Sequence, residues 1–340
     1  MKLLAIGDPH FQVGNIKNVE LFIDRAVNIV KEHRPEIIVI LGDLLHEHER
    51  LHVTPLNKAY EFVDKMRKLV KTYVIVGNHD MVNHAQFLTA NHWMNGLKEW
   101  ENVTVVDTAI RVGNFALCPY VPPGRFQEAL DTIGEWRDVH AIFCHQEFAG
   151  CKMGAIVSVE GDKWGNDCPH IISGHIHDRQ QPQPNIYYTG SSMQHAFGES
   201  GKKSVALLEF DSDGSFSTQE IMLKLPKKKI VYMDVAELDD YVPVESVDEV
   251  KLTITGSHDE FKALKKTEKY KTLIESGVKV VFKSEKIRNS DSDEKKSEES
   301  SNFGDVLLEL VQKEKDSLLT QTYELIVNNK NLSEDDVFFL

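Results

Sequence analysis

The sequence predicts a layered α/β sandwich domain, then a small α+β capping unit and a tethered C-terminal helical segment. Three observations carry this. In the first half of the 340 residues, short β-branched runs alternate with stretches of helical periodicity. Between about 224 and 283 the pattern shortens to two strands, a helix and a strand. A run of serine and charge at 284–301 then separates both from an apolar helical end.

The elements follow in order. KLLAI (2–6) is a strand, and Val19, Phe22, Ile23, Ala26, Val27 and Val30 recur on one helix face up to Pro35. EIIVIL (36–41) is the next strand, and a helix over 55–70 leads into TYVIV (72–76). A helix is expected over 84–98. The strands VTVVD (103–107) and FALCPY (115–120) look like antiparallel hairpin material. VHAIFC (139–144), HIIS (170–173), IYYTG (186–190) and SVALLEFD (204–211) complete the first domain, 1–223, with one more strand after Asp213 and Gly214. Residues 224–283 hold KIVYMDV, VKLTITG, a lysine-rich helix at 258–276 and VKVVF. The 284–301 stretch lacks the apolar side chains needed to order itself and reads as a flexible linker. Within 302–340, Phe303, Leu307, Leu310 and Val311 share a helix face, continued by Leu318, Tyr323 and Ile326, and VFFL follows a capping-box pattern from Ser333 to Asp336. A tethered amphipathic element is expected to dock on a partner; packing on its own domain is the alternative.

The net charge of −14 argues against a general nucleic-acid coat, since phosphate contacts need lysine and arginine. The excess is uneven: residues 1–223 carry −8 and 284–340 carry −7, while 224–283 carry +1. Lys224, Lys227, Lys228 and Lys229 form one basic cluster there, and Lys262, Lys265, Lys266, Lys269 and Lys271 another. They are expected to touch DNA phosphates; a solvated basic face is the alternative. MKLLAIGD is too short an apolar run for a signal peptide, and no membrane-length apolar stretch occurs, so a soluble cytoplasmic protein is expected. Cys118, Cys144, Cys151 and Cys168 form no CxxC pair and are expected to be reduced, with spacing that disfavours a zinc site.

The chemistry lies at the strand ends. Gly7-Asp8-Pro9-His10, Gly42-Asp43, Gly77-Asn78-His79-Asp80, His145 and Gly174-His175-Ile176-His177 each follow an apolar strand. Functional groups of α/β sheets gather at that carboxyl edge. One such motif alone is usually a polar loop; five in the same position indicate a metal site. Oxygen and nitrogen donors without thiolate suit manganese, iron or zinc. Asp8, His10, Asp43, Asn78, His145, His175 and His177 suffice for two ions, with Asp43 as the natural bridge. Two ions about 3.5–4 Å apart can clamp a phosphate and acidify a water. His79 is placed to supply a proton, and Asp80 either orients His79 or caps the following helix.

These motifs, in this order, resemble the calcineurin-like metallophosphoesterases. Gly42-Asp43-Leu44-Leu45-His46, the Tyr188-Thr189-Gly190-Ser191 turn and the domain layout resemble the SbcD nuclease family. The similarity is greatest to the recombination-endonuclease subunits of T-even-like bacteriophages. The resemblance implies two Mn²⁺ ions per chain, one on Asp8, His10, Asp43 and His177 and the other on Asp43, Asn78, His145 and His175. It implies His79 as a catalytic group that is not a ligand, and His46 assisting near the scissile phosphate. It also implies DNA cleavage in double-strand-break repair and recombination, as 3′→5′ exonuclease and single-strand endonuclease, with a coiled-coil ABC-type ATPase as partner. A homodimer through the region of Leu88, Trp93 and Leu97 is implied as well, with core packing as the alternative. Leu45 stands where the family often has Phe, and Pro9 lies inside the first motif; neither removes a ligand. His33, His48, His52, His84, His92, His140, His170 and His258 are expected to be surface or core residues, while His195 could line the site.

Overall fold

The computed structural model describes residues 1–243 and 247–284, plus Val311, Lys313 and Tyr323. The chain divides into two compact units, Met1–Glu285 and Lys286–Leu340. Ser284, the first residue of the predicted linker, ends a strand; the rest of that linker, most of the C-terminal helical segment and the Ser333 capping box lie outside the described residues.

The strands are β1 (Lys2–Ile6), β2 (Ile37–Ile40), β3 (Lys71–Ile75), β4 (Val103–Val106), β5 (Ile110–Val112), β6 (Phe115–Cys118), β7 (Ala141–Cys144), β8 (Lys152–Met153), β9 (Ile156–Val157), β10 (His170–Ser173), β11 (Gln180–Gln183), β12 (Ile186–Tyr188), β13 (Ser204–Phe210) and β14 (Phe216–Met222). The last three are β15 (Lys228–Asp234), β16 (Glu249–Gly256) and β17 (Lys279–Ser284). The helices are α1 (Ile16–His33), α2 (Val53–Arg67), α3 (Phe126–Asp131), α4 (His258–Leu264) and α5 (Glu268–Glu275).

Two six-stranded sheets, ordered β14-β13-β1-β2-β3-β4 and β11-β12-β10-β7-β6-β5, stack face to face. Strand alternation explains the layering, because successive side chains point to opposite faces. Leu3, Ala5, Val39 and Ile75 meet Phe143, Ile172, Leu117 and Phe115 between the sheets. From the first sheet, Leu4, Ile38, Ile40 and Val74 face outward onto Phe22, Ile23 and Ala26 of α1 and Phe62, Val63 and Met66 of α2. Phe126, Ala129 and Leu130 of α3 cover Ile142, Cys144 and Ile171 of the second. Emptying one such site, as in Phe62→Ala, costs about 3–5 kcal/mol.

The third sheet, β15-β16-β17, is parallel and covered on one face by α4 and α5, with a core of its own around Leu252, Ile254, Phe261 and Leu273.

Four expectations are corrected. β4 runs parallel to β3 in the first sheet, and within 103–120 the hairpin is β5 with β6, in the second. Of the helix expected over 84–98, only the short helical stretch Trp93–Glu99 exists; the Asn83, Thr89 and Asn95 side chains bond nearby backbone groups into loops instead. The lysine-rich helix is two helices, because Thr267 caps a new helix from Glu268, its hydroxyl accepting from the Tyr270 N–H. Leu97, implied as a partner contact with core packing as the alternative, is fully buried in the core, and Trp93 packs half-buried against Tyr60.

Candidate metal centre

The carboxyl ends of β1, β2, β3, β7 and β10 converge. The backbone there is bent at the functional residues themselves: Asp8, His10, Asp43 and His175 have φ of 40°, 46°, 49° and 75°. Such left-handed backbone is unfavourable for residues with a Cβ and persists where the surroundings enforce it. The neighbouring glycines mainly provide room. A methyl on Gly77 would collide with the Asp43 carboxylate, and one on Gly42 would sit 2.5 Å from His145 Nδ1.

Two donor sets meet at Asp43. On one side, His10 Nε2 lies 3.1 Å from His177 Nε2 and 3.4 Å from Asp43 Oδ2, and Asp8, His10 and Asp43 offer atoms within 4.8 Å of one another. On the other, His145 Nε2 lies 3.3 Å from Asp43 Oδ2, 2.9 Å from Asn78 Oδ1 and 3.2 Å from His175 Nδ1. Asn78 Oδ1 is also 3.0 Å from His175 Nδ1. All seven candidate ligands are therefore brought together.

The residues fit metal ions on three counts. Among the described residues Asp8 Oδ2 is buried without a hydrogen-bond partner, an expensive arrangement unless a cation meets it. Pairs of imidazole nitrogens at 3.1–3.2 Å aim lone pairs at common points. His145 Nδ1 donates to the Leu41 carbonyl at 2.7 Å, which leaves Nε2 as the free ligand nitrogen.

The buried carboxylates and imidazoles shift one another. Burial alone would raise the Asp43 carboxyl, but His145, His10 and His79 outweigh it and hold it well below the usual range. Burial lowers His10, with the cationic forms of His195 and His177 adding to it against Asp43, so its nitrogen stays neutral as a ligand must. Burial also opposes charge on His145, yet Asp43 and Asp8 push it up to about 9.

His79 stands beside the donor sets. Its backbone N–H donates to Asp43 Oδ1 at 2.8 Å, and its ring Nδ1 lies 2.6 Å from the His46 carbonyl. That carbonyl fixes the ring and leaves Nε2 as the other nitrogen. His46 Nδ1 lies 3.4 Å from His10 Nδ1.

Asp80 does neither of the two jobs considered for it. Among the described residues no hydrogen bond joins it to the His79 ring, and no long helix follows it. Its carboxylate accepts from the backbone of Gly77, Leu44 and Leu45 and from Trp93 Nε1, at 2.9–3.4 Å. It ties the β2 and β3 end loops together. Burial and the nearby Asp43 push its pKa up to about 6.

Some residues at the site were not singled out by sequence. Glu199 accepts from the His195 backbone N–H at 2.9 Å, lies 3.3 Å from His177 Nδ1, and pairs with buried Lys203 at 3.4 Å. Burial opposes its ionisation, but His177, the His195 N–H and Lys203 hold it down at about 2. His195 does line the site: Nε2 lies 3.0 Å from the Asp8 carbonyl, and burial and His177 lower its pKa to about 3. His48, read as a surface or core residue, stacks on His79 with ring centroids 4.5 Å apart. Glu147 sits 3.9 Å from His175. None of these follows a strand directly, so the strand-end pattern gave no signal for them.

The basic residues are more engaged than expected. Lys228 pairs with Glu249 at 2.7 Å and Lys229 with Asp248 at 2.6 Å. The Lys227 side chain packs against Gly201, and Lys265 lies over the Phe282 ring. Lys266 carries no contact of its side chain among those described.

The family model for calcineurin-like phosphoesterases matches residues 1–191, the span that carries every candidate ligand. The chain is a calcineurin-like phosphoesterase. Two viral proteins named as phosphoesterases are similar to it over most of their length. The 078R protein of invertebrate iridescent virus 3 is 46% identical over 325 residues, covering 92% of each chain. The 244L protein of invertebrate iridescent virus 6 is 48% identical over 276 residues, covering 78% of this phosphoesterase and 97% of its own length. Among solved structures, purple acid phosphatase PPD1 from yellow lupin aligns with a TM-score of 0.43 at 10% identity, over 66% of this chain and 51% of that one. No described helix is long and apolar enough to cross a membrane.

Proposed function

We propose that this phosphoesterase is a two-metal DNA nuclease that hydrolyses phosphodiester bonds in recombination and double-strand-break repair. The observation that carries the chemistry is a pair of donor sets sharing Asp43, with a non-ligand imidazole, His79, beside them. One ion would be held by Asp8, His10, Asp43 and His177, the other by Asp43, Asn78, His145 and His175, with Mn²⁺ the ion of choice. When bound, such a pair supplies positive charge against the phosphate and makes a nucleophile available at neutral pH.

The chain's own residues do the rest. Asp80 holds the β2 and β3 loops in register, so that Asp43 and Asn78 face one point. The His46 carbonyl accepts from Nδ1–H of His79 and so orients the ring; in its doubly protonated form the Nε2–H donates to the leaving oxygen. Glu199 and Leu41 set the rings of His177 and His145.

DNA as substrate, a coiled-coil ABC-type ATPase docked through 302–340 and a homodimer belong to the same proposal. They are supported by the resemblance of the strand-end motifs to the SbcD family and by the appended lysine-bearing sheet. A Mn²⁺-dependent assay on linear duplex DNA, with and without the ATPase and ATP, tests this reading. Cleavage stimulated by the partner supports it; turnover of small phosphate esters alone, with DNA left intact, would replace it with a small-molecule phosphoesterase.

A further inference from the structure

We infer that Lys251 and Lys279, gathered with Lys228 around the Phe197 ring, form a second phosphate subsite that binds the strand next to the scissile bond. The inference rests on the proposed nuclease reading and names where the polymer lies.

Phe197 belongs to the loop that also carries His195 and Glu199. It lines a cavity of about 500 Å³ together with His175, His177, Glu199 and Met153 of β8. The cavity is therefore continuous with the metal centre. The ammonium groups of Lys228, Lys251 and Lys279 lie 5.5, 5.2 and 5.2 Å from the Phe197 ring centroid. Among the described residues Glu249 is the one carboxylate paired with them, 2.7 Å from Lys228 and 4.0 Å from Lys279, and Lys251 has no carboxylate partner. Three cations share one anion, on a chain whose overall charge is −14.

The register makes the surplus more telling. Lys251 and Lys279 are direct partners on neighbouring parallel strands. Like charges side by side on a sheet destabilise it, and an anion between them removes that cost. Their face of the sheet is the one that α4 and α5 leave uncovered: Tyr232 and Val281, two residues along in alternation, are 70% and 46% exposed. A lone phosphomonoester at the metal centre has no second anion to offer here. A polynucleotide has one on either side of the reacting phosphate, and its bases can rest on aromatic and apolar surface such as Tyr232 and Val281. The occupant is thus a nucleic-acid strand passing from the metal centre across Phe197 onto the open face of β15–β17.

The test compares two substrates on one variant, Lys251→Ser/Lys279→Ser, in the full chain with Mn²⁺. Oligothymidylate spans both sites; bis(p-nitrophenyl) phosphate reaches the metal centre alone. The variant should turn over the small diester as the parent does, which also shows that it is folded. Its KM for oligothymidylate should rise about tenfold. The salt dependence of log KM should flatten by about 1.4, because two lysines no longer neutralise phosphates of a single strand. Unchanged KM and salt slope on oligothymidylate would overturn the subsite while leaving the nuclease reading in place. A parent enzyme that cleaves the small diester and leaves oligothymidylate intact would overturn both. If the double variant is unstable, Lys251→Ser alone should give about half the change in slope, and no change would overturn the subsite equally.

Discussion

The two ends of the stacked sheets are made from the same strands and put left-handed backbone on different kinds of residue. At the amino ends, positive φ falls on Gly113 and Gly214 in the tight β5–β6 and β13–β14 turns and on Arg34 and Asn102 ahead of β2 and β4, none of them a candidate ligand. At the carboxyl ends it falls on Gly42 and on the candidate ligands Asp8, His10, Asp43 and His175, at about 1–2 kcal/mol for each of these four. The larger cavity, about 590 Å³, is at the amino end, between Met1, Val112, Phe115 and Phe210. Its lining includes one imidazole, His140, and one carboxylate, Asp211. Cavity size therefore does not mark the reactive end; strain placed on ligand-type residues does.

Substitutions at the two ends should separate cleanly. Asp43→Ala, which removes the carboxylate common to both donor sets, should drop phosphodiesterase activity to background in a Mn²⁺ assay; substantial remaining activity would mean that the sets work independently. Asp80→Ala should come next in severity. It strips the acceptor from three backbone N–H groups and the Trp93 indole, so stability should fall by on the order of 3–5 kcal/mol, read as a lowered denaturation midpoint. His79→Ala should keep both ions and lose about 10²–10⁴-fold in turnover. Loss of the metals in that variant would make His79 a ligand and undo its separation from the donor sets.

Glu199→Gln should weaken the ion on the His177 side by about 10–100-fold, seen by calorimetry with Mn²⁺, and leave the Asn78 side alone. At the amino end, exposed Asn114→Ala should change stability by no more than about 0.5 kcal/mol and activity not at all. An effect on activity there would break the contrast between the two ends.

The legible part of this molecule was the part written in local pattern. Strand-end motifs from Asp8 to His177 are separated widely in sequence, yet the β1, β2, β3, β7 and β10 runs that precede them are plain apolar strands. Their shared edge follows from sheet geometry. The division into two sheets was not legible, because a parallel pairing such as β3 with β4 and a hairpin such as β5 with β6 begin from similar β-branched runs. The loop over 82–92 hid behind helical periodicity, since the side chains of Asn83, Thr89 and Asn95 that compete for its backbone leave no periodic trace. Glu199, Lys203 and His48 were hidden for a related reason: they reach the centre from loops, where no spacing rule applies. Asp80 was visible as a polar residue in the right turn. Its four donors come from three separate chain segments, and only the fold brings them together.

The central claim is that Asp43 joins two metal sites. Anomalous scattering at the manganese edge, from crystals of the full chain grown with Mn²⁺, tests it most directly. The account predicts two peaks about 3.5–4 Å apart with the Asp43 carboxylate between them. One peak, or two peaks of which only one touches Asp43, would contradict it.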